Sequence, residues 1–157
     1  MNRIKRPVFD LTIALFCIAL DQFTKWLAAS FLPPEVSTEI FSLFGIELFW
    51  TLTTNMGAAW GVLTDLPSLL LVLRFGFIVV LFGMYASSKT PLNIRTAIAL
   101  IISGALSNIF DTLYRGYVID MIHFRFWGWN YPIFNIADIC ICMGAFSIVW
   151  MTLFHKR

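Results

Sequence analysis

Polar residues that could act on a substrate are concentrated in one stretch of otherwise apolar sequence. Two Asn-x-x-Asp units, Asn108/Asp111 and Asn135/Asp138, lie on either side of a single Asp120. Residues three apart share a helix face, so each Asn would lie beside its Asp. Carboxylates are costly near hydrocarbon, which makes them candidates for function. The alternative is three aspartates at helix ends that face water.

Asp120 and Asp138 are the candidates for catalysis, because they lie on separate segments that a short loop brings together. Two carboxyl groups within a few ångströms of each other cannot both ionise, so such a pair shares one proton. The ionised carboxylate can deprotonate a water molecule, while the protonated one hydrogen-bonds the scissile carbonyl. No Ser/Lys or Cys/His pair is placed as well for acyl-enzyme chemistry.

The composition is that of an integral membrane protein. Of the 157 residues, 59% are hydrophobic and 13% are charged, whereas soluble domains carry about 25% charged residues. The formal net charge of +2 and the lack of a basic tract give no reason to expect a nucleic-acid partner. The cysteines lie in apolar runs and the histidines are isolated in sequence, so we expect no disulfide, metal or cofactor.

Four apolar runs approach the roughly 20 residues that a helix needs to cross a bilayer. We predict a membrane all-α fold that forms a single domain over residues 1–157. The predicted spans are residues 11–29, 66–86, 94–110 and 133–154, and the outer loops are residues 30–65 and 111–132. The first run is too long and too polar for the core of a cleaved signal peptide, so we interpret it as a retained span.

The basic residues predict the orientation of these spans. They are concentrated at the two termini and in the loop between spans two and three, as Arg3, Lys5, Arg6, Lys89, Arg95, Lys156 and Arg157. The long first loop has no Lys or Arg. By the positive-inside rule both termini are cytoplasmic, and the candidate carboxylates lie at the outer membrane surface.

The first outer loop contains a predicted β-element. Residues 46–53 alternate between apolar and other side chains, which is typical of a strand, and residues 39–44 fit a hairpin partner. The small residues after Asn55, including Gly57 and Ala58, permit close backbone approach, although a tight turn explains them equally well.

Charged residues also lie inside the predicted spans. Asp21 and Lys25 are four residues apart, so they can pair on one face of the first span. Arg74 lies deeper in the second span, where it either extends to the interface or pairs with a carboxylate.

Taken together, these residues resemble the motifs of the bacterial lipoprotein signal peptidases (signal peptidase II). The matching blocks are Asp21-Gln-x-Thr-Lys25, Asn55-x-Gly-Ala-Ala, Asn108-x-x-Asp111 with Gly116-x-Val118-x-Asp120, and Phe134-Asn-x-Ala-Asp138. Any single block would be weak evidence. Their occurrence in the family's order, from residue 21 to residue 138, is specific.

The resemblance implies an aspartic endopeptidase that removes the signal peptide from prolipoproteins, before a diacylglyceryl-modified Cys, at the outer face of the bacterial cytoplasmic membrane. It implies Asp120 and Asp138 as the catalytic pair. The supporting or substrate-binding residues would be Asn55, Asn108, Asp111, Asn135, Gly57, Ala58, Asp21 and Lys25. The outer-loop strand would belong to an extracytoplasmic β-cradle, and the segment after Asn55 would be a lid. We expect lipid-modified prolipoproteins and membrane lipids as partners, and a monomer.

The chain departs from the family pattern at four positions. Ser107 replaces the usual Gly, Met121 the usual Phe, and Trp60 another usual Phe. The largest departure is Thr112, where the family usually has Arg after the Asp of its third block. Arg115 or Arg74 are the candidates to replace that guanidinium.

Two other classes remain open from the residues alone. A small proton-coupled transporter would also carry ionisable residues in its spans. However, the carboxylates here gather at one face, and no span has Pro at its centre. The other class is a non-catalytic membrane assembly subunit with internally paired polar residues.

Overall fold

A computed structural model describes residues 5–56 and 66–154. Within these ranges the elements are α1 (Lys5–Phe31), β1 (Ser37–Leu43), β2 (Ile46–Asn55), α2 (Pro67–Ala86), α3 (Leu92–Arg115), β3 (Val118–Phe126), β4 (Trp129–Asn130) and α4 (Ile136–Phe154). Each of the four helices is long and apolar enough to cross a membrane. The described residues therefore have the predicted combination of four apolar helices and a small antiparallel sheet.

The central helix of the bundle is α3. It packs against α1, α2 and α4, and most of its residues are buried, whereas the other three helices are largely exposed. A core of Leu81, Ile98, Ile101 and Ile102 joins α2 to α3. The exposed faces of the outer helices are apolar, as expected for surfaces that contact lipid.

Two glycines allow α3 and α4 to approach each other closely. A Cβ added to Gly104 would lie 2.3 Å from the carbonyl oxygen of Ala137, and one added to Gly144 would lie 2.6 Å from that of Ala97. Both distances are far below van der Waals contact. The small residues therefore set the spacing between α3, which carries Asn108 and Asp111, and α4.

Helix α3 extends to Arg115, beyond the predicted end of its span at residue 110. The helix stops at Gly116, which has a φ of +82° and donates its N–H to the Thr112 carbonyl at 3.1 Å. A glycine in this left-handed conformation is a common helix terminator. As a result Asp111 lies within the last turns of α3 and not in the loop.

The sheet joins the two connections on one side of the bundle, in the order β1-β2-β3-β4. The hairpin of β1 and β2 agrees with the strand predicted in the first outer loop. Strands β3 and β4 were not predicted from the sequence, and the predicted placement of Asp120 in a loop is wrong, because Asp120 lies in β3. The polar residues Asp120, His123 and Arg125 interrupt the apolar pattern of β3 and conceal it.

Candidate active site

Asp120 is positioned by pairing on both sides of β3. On one side, Thr53 of β2 lies opposite Asp120. On the other, Ile122 forms an isolated antiparallel bridge with Phe134, two residues before α4 begins. The Ile122 N–H donates to the Phe134 carbonyl at 2.8 Å, and the Phe134 N–H donates back at 3.0 Å. This bridge brings the start of α4 next to Asp120.

Asp138 lies in the first turn of α4, where it forms a reciprocal cap with Asn135. The Asp138 N–H donates to Asn135 Oδ1 at 2.9 Å, and the Asn135 N–H donates to Asp138 Oδ2 at 3.2 Å. This is the capping-box arrangement of the first helical turn. The spacing of Asn135 and Asp138 therefore reflects a helix N-terminus, and the prediction that the two residues share one helix face is wrong.

Asn135 links the two aspartates. It is fully buried, and its Nδ2 donates to Asp120 Oδ1 at 2.6 Å and to Asn108 Oδ1 at 3.2 Å. On the opposite side, Asn55 Nδ2 donates to Asp120 Oδ2 at 3.2 Å. A bulge in β2 between Trp50 and Thr53 shifts the register, and such bulges re-aim side chains.

Both aspartates line one cavity of about 470 Å³. Its polar lining consists of Asn55, Arg74, Asn108, Asp120 and Asp138. The rest is mainly apolar and comes from residues 131–134, just before α4, and from the first turns of that helix. We call this space the active-site cavity. It offers charged groups and apolar surface to the same ligand.

The orientation of Asn108 follows from its neighbours. Lys25 Nζ donates to Asn108 Oδ1 at 2.9 Å, and Asn135 donates to the same oxygen. Because Lys can only donate hydrogen bonds, these contacts turn the Asn108 amide nitrogen toward Asp138, whose Oδ1 it reaches at 2.9 Å. Asn108 thus connects a buried ammonium group with a carboxylate of the cavity.

Behind Asn108 lies a buried network of charges between α1 and α3. Lys25 Nζ lies 2.6 Å from Asp21 Oδ2 and 2.6 Å from Asp111 Oδ2, and all three side chains are fully buried. Arg115 forms a further ion pair with Asp111. The predicted pairing of Asp21 and Lys25 on one face of α1 is present in the structure.

Asp21 also holds the start of α4. Its Oδ1 accepts the backbone N–H of Ala137 at 2.8 Å, which satisfies one of the N–H groups that a helix N-terminus leaves unpaired. The hydroxyl of Ser107 donates to Asp21 Oδ2 at 2.7 Å. The charged network and the cavity therefore share one scaffold.

Ser107 and Gln22 make polar contacts that were not predicted from the sequence. Gln22 Nε2 donates to Ser107 Oγ at 3.0 Å and to Asp111 Oδ1 at 3.1 Å. Ser107, noted before as a departure from the family's Gly, is thus a hydrogen-bonding residue. Its position four residues before Asp111, on the same face of α3, is the signal that could have revealed it.

Burial and the neighbouring carboxylate shift the ionisation of Asp120. Burial is the main cause that raises the pKa of Asp120 from 3.8 to about 7, and the charge of Asp138 is the second. The hydrogen bonds from Asn55 and Asn135 lower this pKa. A carboxyl group with such a pKa holds a proton for much of the time at neutral pH. It can therefore both donate and accept protons.

Thr112 stands where the family usually has Arg, and the two arginines that could supply the missing guanidinium both contact this part of α3. Arg115 pairs with Asp111, and Arg74 Nη1 donates to Thr112 Oγ1 at 3.1 Å.

Of the predicted site residues, Gly57 and Ala58 lie outside the described residues, as does the segment interpreted as a lid. The other predicted residues are brought together in or behind the cavity.

Fold and site define this protein as a multi-pass membrane protein with a carboxylate–amide site at one end of its helical bundle. The family model described as signal peptidase (SPase) II matches residues 13–154. The chain therefore belongs to the signal peptidase II family, and the resemblance inferred from its motifs is confirmed.

Solved structures agree with this assignment. The chain is similar to two structures described as bacterial membrane enzymes determined by the in meso method, at 2.3 Å and 1.9 Å resolution. The first has a TM-score of 0.83 and 29% identity, and the match covers 95% of this chain and 92% of that one. The second has a TM-score of 0.81 and 29% identity, and covers 94% of each chain. The protein is a peptidase, and a membrane transporter or scaffold is disfavoured.

Proposed function

We propose that this protein is an aspartic endopeptidase that uses Asp120 and Asp138 to remove the signal peptide from diacylglyceryl-modified prolipoproteins. The observation that carries the proposal is the link through Asn135, which binds Asp120 with its side chain and Asp138 with its backbone N–H. Both carboxyl groups also line one cavity. We refer to Asp120 and Asp138 as the dyad.

The chemistry follows from one proton shared between two carboxyl groups. The ionised member removes a proton from a water molecule, and the resulting hydroxide forms a bond with the scissile carbonyl carbon. The protonated member donates its proton to the carbonyl oxygen. When the tetrahedral intermediate collapses, one of its hydroxyl groups returns a proton to the ionised carboxylate, the C–N bond breaks, and the leaving amine takes a proton from the other carboxyl group, which restores the singly protonated dyad. The raised pKa of Asp120, about 7, supports a pair that keeps one proton at neutral pH.

The mixed polar and apolar lining of the cavity supports a lipid-modified substrate. Its polar groups can hold a peptide and a hydrolytic water molecule, while the apolar residues of α4 that share its lining, Ile139, Ile141 and Met143, can accommodate acyl chains. Cleavage before the lipid-bearing Cys would then join both requirements, because the acyl chains anchor the peptide bond next to the dyad.

The proposal places the dyad on the outer side of the cytoplasmic membrane. The sheet, the end of α3 and the start of α4 lie on one side of the bundle, whereas the connection between α2 and α3 lies on the other. That connection and the adjoining start of α3 contain Lys89 and Arg95, and basic residues favour the cytoplasmic side.

The decisive test replaces each aspartate by its neutral isostere. Asp120→Asn and Asp138→Asn should each lower the rate of cleavage of a diacylated prolipoprotein in liposomes by at least about 10³-fold. Either change removes one of the two carboxyl groups between which the proton is shared. The unlipidated prolipoprotein should be a poor substrate of the wild-type enzyme. Glu39→Gln, in the exposed strand β1, removes a carboxylate outside the cavity and serves as the matched control.

Either Asp variant with activity near that of the control would refute the dyad. A chelator supplies a second test, because the proposed chemistry uses no metal. Cleavage should continue in its presence, and inactivation that added metal reverses would contradict the mechanism.

A further inference from the structure

The active-site cavity contains a cation whose role the two-carboxylate chemistry does not explain. Arg74 lies in α2, roughly 10 Å along the helix axis from the first residue, Pro67. Its side chain is partly buried and lines the cavity together with Asp120 and Asp138. A guanidinium group at such a depth is costly and marks a candidate functional site.

Thr112 holds this guanidinium in place. Arg74 Nη1 donates to Thr112 Oγ1 at 3.1 Å, while the same hydroxyl donates to the Asn108 carbonyl at 2.9 Å. The Thr112 proton is thus directed along α3, which leaves the oxygen oriented to accept from Arg74. Arg74 is thereby tied to the backbone of Asn108, whose side chain binds Asp138.

The charge of Lys25 also acts on both carboxyl groups of the dyad, but Lys25 and Arg115 are in direct contact with other carboxylates. Lys25 is in contact with two carboxylates, Asp21 and Asp111, and Arg115 pairs with Asp111 as well. This network of two acids and two bases has no net charge. A dyad that shares one proton carries a single negative charge, and Arg74 is the one cation among the described residues that line its cavity.

We propose that Arg74 is the positioning residue that serves as counter-ion of the dyad. Asp138 and Asp120 both attract Arg74 electrostatically. Its charge stabilises the singly ionised pair, in which one carboxylate is ready to accept a proton from water. This inference rests on the proposed function, because it requires both aspartates to act as one ionising unit.

The groups that face the dyad define what the pH dependence can report. Among the described residues they are Lys25 with Asp21 from α1, Asp111 from α3, Arg74 from α2 and, from β2, the neutral Asn55. The phenol of Tyr131 and the thiol of Cys142 in α4 line the same cavity. Removing a nearby positive charge disfavours each ionisation of the pair. The whole bell-shaped profile of kcat/KM against pH should therefore move to higher pH in Arg74→Gln, by about one pH unit.

The experiment measures kcat/KM for a diacylated prolipoprotein in liposomes across the bell-shaped pH profile, for four variants of the full chain. Arg74→Gln removes the charge, and Arg74→Lys keeps it, so the Lys variant should retain the wild-type profile. Thr112→Val removes the hydroxyl at nearly constant volume and should produce a smaller shift in the same direction. Arg95→Gln, which removes a guanidinium bound to the Ser87 and Thr90 carbonyls, should leave the profile unchanged.

The inference would be overturned if the kcat/KM profile of Arg74→Gln had the same pH dependence as the wild type, whatever its maximum value. It would also be overturned if Arg74→Lys shifted the profile as far as Arg74→Gln does. If Arg74→Gln does not fold, Thr112→Val decides, because an unshifted profile there contradicts the proposed counter-ion. These outcomes leave the dyad itself intact. The dyad fails separately, when Asp120→Asn or Asp138→Asn retains activity.

Discussion

Asp21→Ala should lower the stability of this protein much more than its turnover. The Asp21 carboxylate is fully buried and has three partners: Lys25 Nζ at 2.6 Å, the Ser107 hydroxyl at 2.7 Å and the Ala137 N–H at 2.8 Å. None of these partners belongs to the dyad. The side chain joins α1 to α3 and α4, and its loss takes one partner away from polar groups in all three helices.

The size of the effect follows from the type of contact that is lost. Removing one member of a buried ion pair costs about 3–5 kcal/mol, because the other charge stays buried, and losing a helix cap costs about 1 kcal/mol. Lys25 retains Asp111 as a partner, which reduces the penalty, so we expect a loss of about 4 kcal/mol. A typical protein has about 5–15 kcal/mol to lose.

The assay is reversible unfolding of the purified protein in mixed micelles, followed by tryptophan fluorescence, with cleavage measured per folded molecule. Thr12→Val is the matched control in the same helix, because the Thr12 hydroxyl is exposed and donates to the Val8 carbonyl of its own helix. That control should stay within about 0.5 kcal/mol of the wild type.

A double-mutant cycle isolates the ion pair. Asp21→Asn combined with Lys25→Met removes both charges and leaves Asp111 paired with Arg115, so the double variant should lose less stability than the two single variants together, by about 1–3 kcal/mol. The reasoning would be refuted if Asp21→Ala unfolded within about 1 kcal/mol of the wild type while cleavage per folded molecule disappeared. Asp21 would then act on catalysis directly.

Two further predictions concern the ionisation of the dyad and the helix packing that supports it. Cleavage should decline as the pH rises through about 7, because ionisation of Asp120 removes the shared proton. Asn55→Ala deletes a hydrogen bond that lowers the pKa of Asp120, so this variant should move the decline in a kcat profile to higher pH. A decline at lower pH would contradict the assigned hydrogen bond. Gly104→Ala should lower the free energy of unfolding by at least about 2 kcal/mol in the same assay, because the added Cβ would lie 2.3 Å from the backbone oxygen of Ala137. Gly83→Ala is the control and should be neutral, because a Cβ there would meet nothing within 4 Å. Equal stability of the two variants would contradict the close packing.

The helices were predictable because their signal is strong. Apolar runs of spanning length identify four helices without any knowledge of tertiary contacts, and the alternation in residues 46–53 revealed β2. The boundaries were less accurate. Nothing in the apolar pattern shows that α3 continues to Arg115, because its end depends on Gly116 and on contacts that Asp111 and Arg115 make with α1 and with each other.

The polar residues around the cavity could be named from the sequence, but the contacts between them could not. The spacing of Asn135 and Asp138 suggested a shared helix face, whereas the pair forms a helix cap. Likewise, β3 was missed because Asp120 breaks its apolar pattern at the place where a polar residue is needed. The contact of Arg74 with Thr112 joins residues 38 positions apart, and no local pattern in the sequence specifies such a pairing.

The internal pairing of charges has a consequence for how the chain enters the bilayer during synthesis. Asp21 and Lys25 lie one helical turn apart in α1, and Asp111 and Arg115 lie one turn apart in α3. Each helix therefore brings its own countercharge and can partition into the membrane as a nearly neutral segment, before its neighbours exist. Lys25 reaches Asp111 only after the helices have docked. The charges of these two pairs can thus enter the membrane with their helices without being left unpaired in the hydrocarbon.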